Sequence, residues 1–409
     1  MEKSEILKRA NAYIAEEKDE NFRNEVEALI AKDDIKELED RFYQSLEFGT
    51  GGLRGIMGGG TNRMNPLVIN RATQGLASYV IKAFPEKAKA GTLSAVLAYD
   101  SRKNSDVFAE AAACIFAANG IKAYLFSSLR PTPELSFAVR TLGADTGVIV
   151  TASHNPRIYN GYKVYWNDGA QVIPPHDKGI IGEVNAVKEI KTMSKDEAIK
   201  AGKIVLIDKD MDEKFWDMCK AQLFRPDLIK AHAKDVKIVY TPLHGTGGMH
   251  VEKVLGDLGL KVITVPEQRD PDGNFPTVEK PNPEEAPAMK LAIALGEKEK
   301  ADCIMATDPD ADRFGSAFPD KDGKFVLITG NQMGALFLEY ILLSRKEFGK
   351  MPEKPAAVRT IVTSPFIDYI CKKYGVKMME CLTGFKWIAN EIRKSEGKQK
   401  YIGGGEESY

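Results

Sequence analysis

Short apolar runs that empty into small polar residues recur along this chain. TLSAVLAYDSRKNS, GADTGVIVTASHNP, DVKIVYTPLHGTGG, ADCIMATDPDADR and AVRTIVTSPF each set a few apolar positions before a polar loop. Such runs, bounded by turn residues, predict buried strands. Several of the loops lead into helical periodicity. In SDVFAEAAACIFAANG, Phe108, Ala112, Ile115 and Phe116 share one face, Ser105 is placed to cap the start and Gly120 to close the end. Strand, loop and helix in repeated succession predict an α/β fold. Functional groups are then expected at the loops beyond the strand ends.

Residues 1–47 are charged, helix-forming sequence with interleaved apolar positions, ending at the glycine-dense EFGTGGLRGIMGGGTNRMN. The polar stretch 189–203, EIKTMSKDEAIKAGK, is suited to joining a first domain to a second. FPDKDGKFV around Gly323 predicts a tight hairpin turn near the next boundary. The expected domains are therefore 1–203, 204–323 and 324–409.

Composition narrows the class. A chain of 409 residues is long enough for two to four domains. A formal net charge of −1 argues against a protein built around nucleic-acid or membrane electrostatics, and leaves room for a small anionic substrate. MEKSEILKRANAYIAEEKDE is charged from its second residue, so no secretory leader is expected. No apolar run reaches the length of a membrane span. Cys114, Cys219, Cys303, Cys371 and Cys381 form no CxxC pair, which speaks against a disulfide framework or zinc ribbon and for a cytoplasmic setting.

The candidate chemistry lies in the loops. TDPDADR carries Asp308, Asp310 and Asp312 at alternate positions, so an extended chain would turn three carboxylates the same way. Crowded carboxylates call for a cation, and all-oxygen donors favour Mg²⁺ or Ca²⁺. A calcium-binding helix-loop-helix fails on spacing, because Arg313 and Pro319 stand where glycine and glutamate are needed. A solvated acidic loop is the plain alternative. In TASHNP, Pro156 steers Asn155 away from helix, so the chain turns and presents Ser153. A serine capping its own backbone is the alternative there. The glycines of a nucleophile elbow are missing, and His154 as immediate neighbour need not face the serine's way. A serine that carries a phosphoryl group beside a magnesium site fits better. Arg54, in the glycine-dense FGTGGLRG, supplies fixed positive charge, and neither a dinucleotide fingerprint nor a P-loop is present. Arg102 and Lys163 are further cations at strand ends. Glu406 and Ser408 in GGGEESY could accept sugar hydroxyls, and Thr383, Gly384, Lys386 and Trp387 in LTGFKWIA form a similar turn.

Together, and in this order, these motifs resemble the α-D-phosphohexomutases, the phosphoglucomutase and phosphomannomutase superfamily. TASHNP is similar to its phosphoserine loop, TDPDADR to its metal loop and GEES to its sugar-recognition loop, with FGTGGLRG, YDSR, PTP (131–133), NGYK (160–163) and TGFKW alongside. The resemblance implies tandem α/β domains with mixed sheets flanked by helices. It implies a phosphate on Ser153, and Mg²⁺ held by Asp308, Asp310, Asp312 and an oxygen of phosphoserine 153. Arg54, Lys163 and Arg313 would surround the transferring group, with Lys163 a candidate acid–base and His154 shaping the pocket. Thr383, Gly384, Lys386, Glu406 and Ser408 would contact the sugar. The implied reaction interconverts hexose 1- and 6-phosphates through a hexose 1,6-bisphosphate, which also serves as activator. GEES resembles the loop of the glucose and mannose members, and FGTGGLRG with TGFKW a branch that includes phosphoglucomutases and phosphopentomutases. Glucose is therefore favoured, with mannose and pentose phosphates as alternatives. A Mg²⁺-dependent sugar phosphatase and a non-catalytic sugar-phosphate binder are the rival classes. The family has four domains, the fourth gripping the distal phosphate. A chain ending at Tyr409 is accordingly expected to be truncated within the third and impaired as a mutase.

Overall fold

The apolar runs become the strands of three sheets in the computed structural model, which describes residues 1–47, 49 and 51–407. The first sheet is built from β1 (Gly52–Ile56), β2 (Ser94–Tyr99), β3 (Lys122–Phe126), β4 (Thr146–Val150), β5 (Tyr159–Trp166) and β6 (Ile204–Ile207). Their order is β1-β5-β4-β2-β3-β6. From β4 to β6 the strands run parallel, and β5 and β1 continue the sheet antiparallel. A parallel strand covered on both faces is apolar throughout, and all five residues of β4 are buried. Val148 and Val150 enter one core with Phe108 and Phe116 of the helix Ser105–Ala118. Ile149 enters the opposite core with Leu135 and Val139 of the helix Thr132–Leu142.

Two local expectations change here. Ser105 does not cap its helix: Asn104, at φ 62°, is the cap residue, and Ser105 is buried in the first turn with its hydroxyl donating to Asp100. Gly120, at φ 78°, follows the helix end as expected. The stretch 189–203 is not a free linker. Ser194 and Glu197 form a capping box that starts the helix Lys195–Lys200, and Ala198 is buried in the first core. The chain then adds β6 beside β3. The boundary expected at 203 therefore moves, and the chain divides into the compact units Met1–Asp212 and Glu213–Tyr409. The four residues of β6, IVLI, are all apolar, and Ile204 alone of them is buried.

The charged N-terminal stretch folds as α1 (Lys3–Glu16), α2 (Glu20–Ala31) and α3 (Ile35–Phe42) around Ile6, Ala10, Tyr13, Val26, Leu38 and Phe42. Their polar side chains grip the glycine triplet that follows β1. Glu25 accepts from the Gly59 N–H at 2.7 Å, and Arg41 donates to the Gly59 carbonyl at 3.0 Å. Arg41 and Glu25 also pair with each other at 3.0 Å. Gly59 has no room for a side chain, because a Cβ there would sit 2.3 Å from the Phe22 carbonyl oxygen on α2.

In the second unit, β7 (Lys237–Thr241), β8 (Lys261–Thr264), β9 (Cys303–Thr307), β10 (Phe314–Pro319) and β11 (Phe325–Ile328) form a sheet ordered β11-β10-β9-β7-β8. Strands β8, β7 and β9 are parallel, whereas β10 runs antiparallel to both of its neighbours. The expected turn at Gly323 (φ 78°) joins β10 to β11, with Asp320 Oδ1 accepting from the Asp322 and Lys324 N–H groups. A third, parallel sheet orders β12 (Pro355–Thr360), β13 (Lys377–Cys381) and β14 (Lys400–Gly405) as β13-β12-β14. No helix among the described residues is long and apolar enough to cross a membrane.

Candidate active site

Parallel strands present their C-terminal ends together, and the loops that carry Ser153, the three aspartates, Gly384 and Glu406 follow the ends of β4, β9, β13 and β14. In the first unit, β4 ends at Val150 and the chain turns at once. Ser153 is 3% exposed and lies in the left-handed region at φ 52°, which costs a non-glycine residue about 1–2 kcal/mol. Its N–H donates to Thr151 Oγ1 at 2.8 Å, and its Oγ lies 3.1 Å from His154 Nδ1. The two neighbours thus face each other, which adjacency in sequence does not by itself require.

The strain is held in place by a buried ion pair. Arg102, expected as a cation for an anionic ligand, is instead committed to the loop's own backbone. It donates to the carbonyls of Ser153 (2.6 Å), Asn155 (2.5 Å), Pro156 (3.0 Å) and Tyr159 (2.9 Å). Asp100, 2% exposed, pairs with Arg102 at 3.3 Å and accepts from the Thr151 and Ser105 hydroxyls at 2.6 and 3.0 Å. Sequence reasoning singles out YDSR but misses this role for Asp100. The available signal is a carboxylate directly after the apolar run AVLAY, where burial demands a partner.

Strand register places the other two cations. Arg54 on β1 stands opposite Gly161 on β5, and Lys163 stands opposite Gly52. Residues two apart on a strand, and cross-strand partners, share a face. Arg54 and Lys163 therefore lie as diagonal neighbours on one face of the sheet. Arg54 is exposed, and its guanidinium donates to Asn155 Oδ1 at 3.1 Å, which ties it to the serine loop. Lys163 is half-buried.

In the second unit, β9 and β10 are joined by residues 308–313, and Asp308, Asp310 and Asp312 converge. One carboxylate oxygen from each lies within 4.8 Å of the others. Convergence does not come from extended alternation. The chain makes a turn in which the Ala311 N–H donates to the Asp308 carbonyl at 3.0 Å, with Ala311 itself at φ 53°. Asp308 and Asp310 are wholly buried and Asp312 half-buried. The Arg313 N–H donates to Asp308 Oδ1 at 3.0 Å. Three hard oxygen donors at this spacing suit Mg²⁺, and like charges so close are costly without a cation.

The sugar-loop candidates meet in the third sheet. The Gly384 N–H donates to Glu406 Oε2 at 2.5 Å, which joins the turn after β13 to the end of β14. Thr383 is exposed beside it. Lys386, half-buried in the first turn of the helix Phe385–Ser395, lies with its Nζ 6.0 Å from the Trp387 ring centroid. The Glu407 N–H donates to Thr363 Oγ1 at 3.0 Å, anchoring the loop from below. Ser408 falls outside the described residues.

Comparison with known proteins follows the order of the three sheets. The phosphoglucomutase/phosphomannomutase α/β/α domain I matches residues 45–191, domain II residues 213–323 and domain III residues 329–409. The chain belongs to the phosphoglucomutase/phosphomannomutase family. A probable phosphoribomutase of Schizosaccharomyces pombe is 38% identical over 394 residues, covering 95% of this chain and 66% of that protein. A glucose 1,6-bisphosphate synthase of Mus musculus is 36% identical over 403 residues, covering 94% of this chain and 63% of its own length. Among solved structures, a putative phosphomannomutase from Thermus thermophilus superposes with a TM-score of 0.69 at 25% identity, covering 89% of this chain and 74% of that one. The chain spans about two thirds of the length of the curated relatives it matches. Helices α1–α3 precede the residues matched by the first domain.

Proposed function

We propose that this protein is a phosphosugar mutase that carries its phosphoryl group on Ser153. The observation behind the reading is the serine loop itself. A buried serine, strained at φ 52°, is held by an arginine committed to its backbone and placed within reach of His154. Strain of this kind persists where the surroundings over-determine a functional geometry.

In the proposed exchange, the bond from phosphorus to Ser153 Oγ breaks and a bond from phosphorus to a sugar hydroxyl oxygen forms. The hydroxyl proton passes to a base, for which Lys163 is the candidate, and Oγ takes a proton in turn. His154, 3.1 Å from Oγ, holds the serine oxygen in position. Arg54 and Arg313 offset charge on the transferring group. Asp308, Asp310 and Asp312 would hold Mg²⁺, which supplies electrophilic stabilisation of phosphoryl oxygens. Thr383, Gly384, Lys386 and Glu406 are assigned to the sugar. The return step, from the other end of the bisphosphate to Ser153, restores the enzyme.

Glucose 1-phosphate is the favoured substrate, on the combined resemblance of GEES to the glucose and mannose members and of FGTGGLRG and TGFKW to a glucose and pentose branch. A pentose 1-phosphate is the second reading, supported by the phosphoribomutase named among the relatives. The test is peptide mass spectrometry after incubating wild type and Ser153→Ala with Mg²⁺ and glucose 1,6-bisphosphate. Phosphate on the Ser153 peptide of the wild type alone is the expected result. Its absence from the wild type would sink the reading. Parallel turnover with glucose 1-phosphate and ribose 1-phosphate then separates the two substrates.

A further inference from the structure

The loop after β7, TPLHGTGG, has no role in this exchange, yet it is built with unusual care. Two successive residues, Leu243 (φ 47°) and His244 (φ 62°), lie in the left-handed region. Each costs about 1–2 kcal/mol outside glycine. Their conformation is fixed from several sides. The Leu243 N–H donates to Thr241 Oγ1 at 3.1 Å, the His244 N–H to the Gln268 carbonyl at 2.9 Å, and the Asp272 N–H to the His244 carbonyl at 3.1 Å. The His244 ring, 2% exposed, sits with Nε2 2.8 Å from Thr277 Oγ1, and burial lowers its pKa.

What this strained turn delivers is Thr246, 2% exposed, against the aspartate loop. The Thr246 N–H and hydroxyl both donate to the carbonyl of Pro309, at 2.8 and 2.9 Å. Pro309 lies between Asp308 and Asp310. A peptide group is planar, so fixing the Pro309 oxygen fixes the plane that leads into Asp310. Gly245 makes the approach possible, because a Cβ there would fall 2.3 Å from the Pro309 Cα. Thr246 is also the N-cap residue of the helix Gly247–Asp257, where a threonine hydroxyl ordinarily accepts from its own helix at a gain of about 1 kcal/mol. Here it makes no such cap bond. Its hydroxyl is turned to the aspartate loop instead.

We infer that Thr246 is a positioning residue for divalent-cation binding, setting the geometry of the Asp308–Asp310 carboxylates through the Pro309 carbonyl. The inference rests on the proposed cation role of those aspartates. Its prediction concerns affinity rather than turnover. Groups that orient metal ligands from behind typically change affinity by about 10–100-fold when removed. Thr246→Val deletes the hydroxyl at nearly constant volume and is expected to weaken cation binding on the order of tenfold. Thr246→Ser keeps the hydroxyl and is expected to stay near wild type.

The experiment titrates the full chain with Mn²⁺ followed by electron paramagnetic resonance, and with Mg²⁺ by calorimetry, well below the melting temperature of each variant. Asp310→Asn marks loss of the site. Weakened binding in Thr246→Val, recovered in Thr246→Ser, supports the inference. Wild-type affinity in Thr246→Val overturns it and leaves the metal reading standing, since the hydroxyl then matters only to folding. A wild-type chain that takes up neither cation overturns both. Should Thr246→Val fail to fold, the smaller Thr246→Ala carries the same comparison.

Discussion

Arg102 shows how far a single residue's role depends on where the chain returns. From sequence it is one of three cations that could meet an anion, because nothing local reveals that residues 153–159 come back over it. In the structure four carbonyls of that loop converge on its guanidinium, and the planar fork with several donors is what permits this. Lysine gathers its three donors on a single nitrogen and cannot span four carbonyls. Arg102→Lys is therefore expected to lower the melting temperature and slow phosphorylation of Ser153 together. Arg102→Met, which strands Asp100 in the interior, is expected to cost about 3–5 kcal/mol. Thermal melts followed by the mass-spectrometric assay check both. Ser153 itself gives a second prediction. Alanine keeps the left-handed penalty and glycine removes it, so Ser153→Gly is expected to melt above Ser153→Ala, by the equivalent of about 1 kcal/mol. The three aspartates are legible because their spacing is local. The turn that gathers them is not, since Ala311 at positive φ carries no signal in sequence.

At the scale of elements, apolar runs announce β2, β4, β7, β9 and β12, because strands covered on both faces need uninterrupted apolar sequence. Elements with one wet face are harder to see. The helix Lys195–Lys200 lies in a stretch polar enough to pass for a linker, and β6 follows that stretch at once as only four apolar residues. The two are recruited by a few buried positions, Ala198 and Ile204. The helix Thr132–Leu142 holds a feature that sequence hides altogether. Glu134 is wholly buried, and burial, then its hydrogen bond with Asp212 and that residue's charge, push its pKa up to about 9. Arg130 is paired with Asp212 at 2.7 Å beside it. Folded protein thus keeps the Glu134 proton that the unfolded chain releases near its ordinary carboxylate value. The native state binds the extra proton, so stability falls as pH rises from about 4.5 to about 9. Glu134→Gln removes this slope. Its melting temperature is expected to match the wild type near pH 4.5 and to exceed it increasingly toward pH 9, in differential scanning fluorimetry across that range.

For the whole molecule, the α/β class and the family are open to sequence reading, because loop chemistry and strand pattern point the same way. The division of the chain is not, since it follows strand pairing between β3 and β6 rather than composition. Nor is the purpose of the N-terminal helices. Glu25 and Arg41 hold both polar groups of Gly59 as a neighbouring strand would, and just ahead of the triplet the Met57 N–H donates to the Ile158 carbonyl at 2.8 Å. The helices therefore brace β1, which carries Arg54, and the exit of the serine loop. Gly59→Ala is expected to lift α2 from its seat. Hydrogen exchange should then quicken in residues 52–60 and in α2 while the second unit is unchanged, and equal exchange everywhere would refute the brace.

The same contact leaves a mark on descent. A side chain at position 59 and a seated α2 exclude each other, so a chain that keeps the helices must keep the glycine. Among relatives, a chain that begins at the first family domain has no steric reason to keep glycine there, whereas one that carries the three helices has no freedom to change it. A side chain at this position is thus a mark, in the letters of the chain alone, of a relative in which α2 is not seated as it is here.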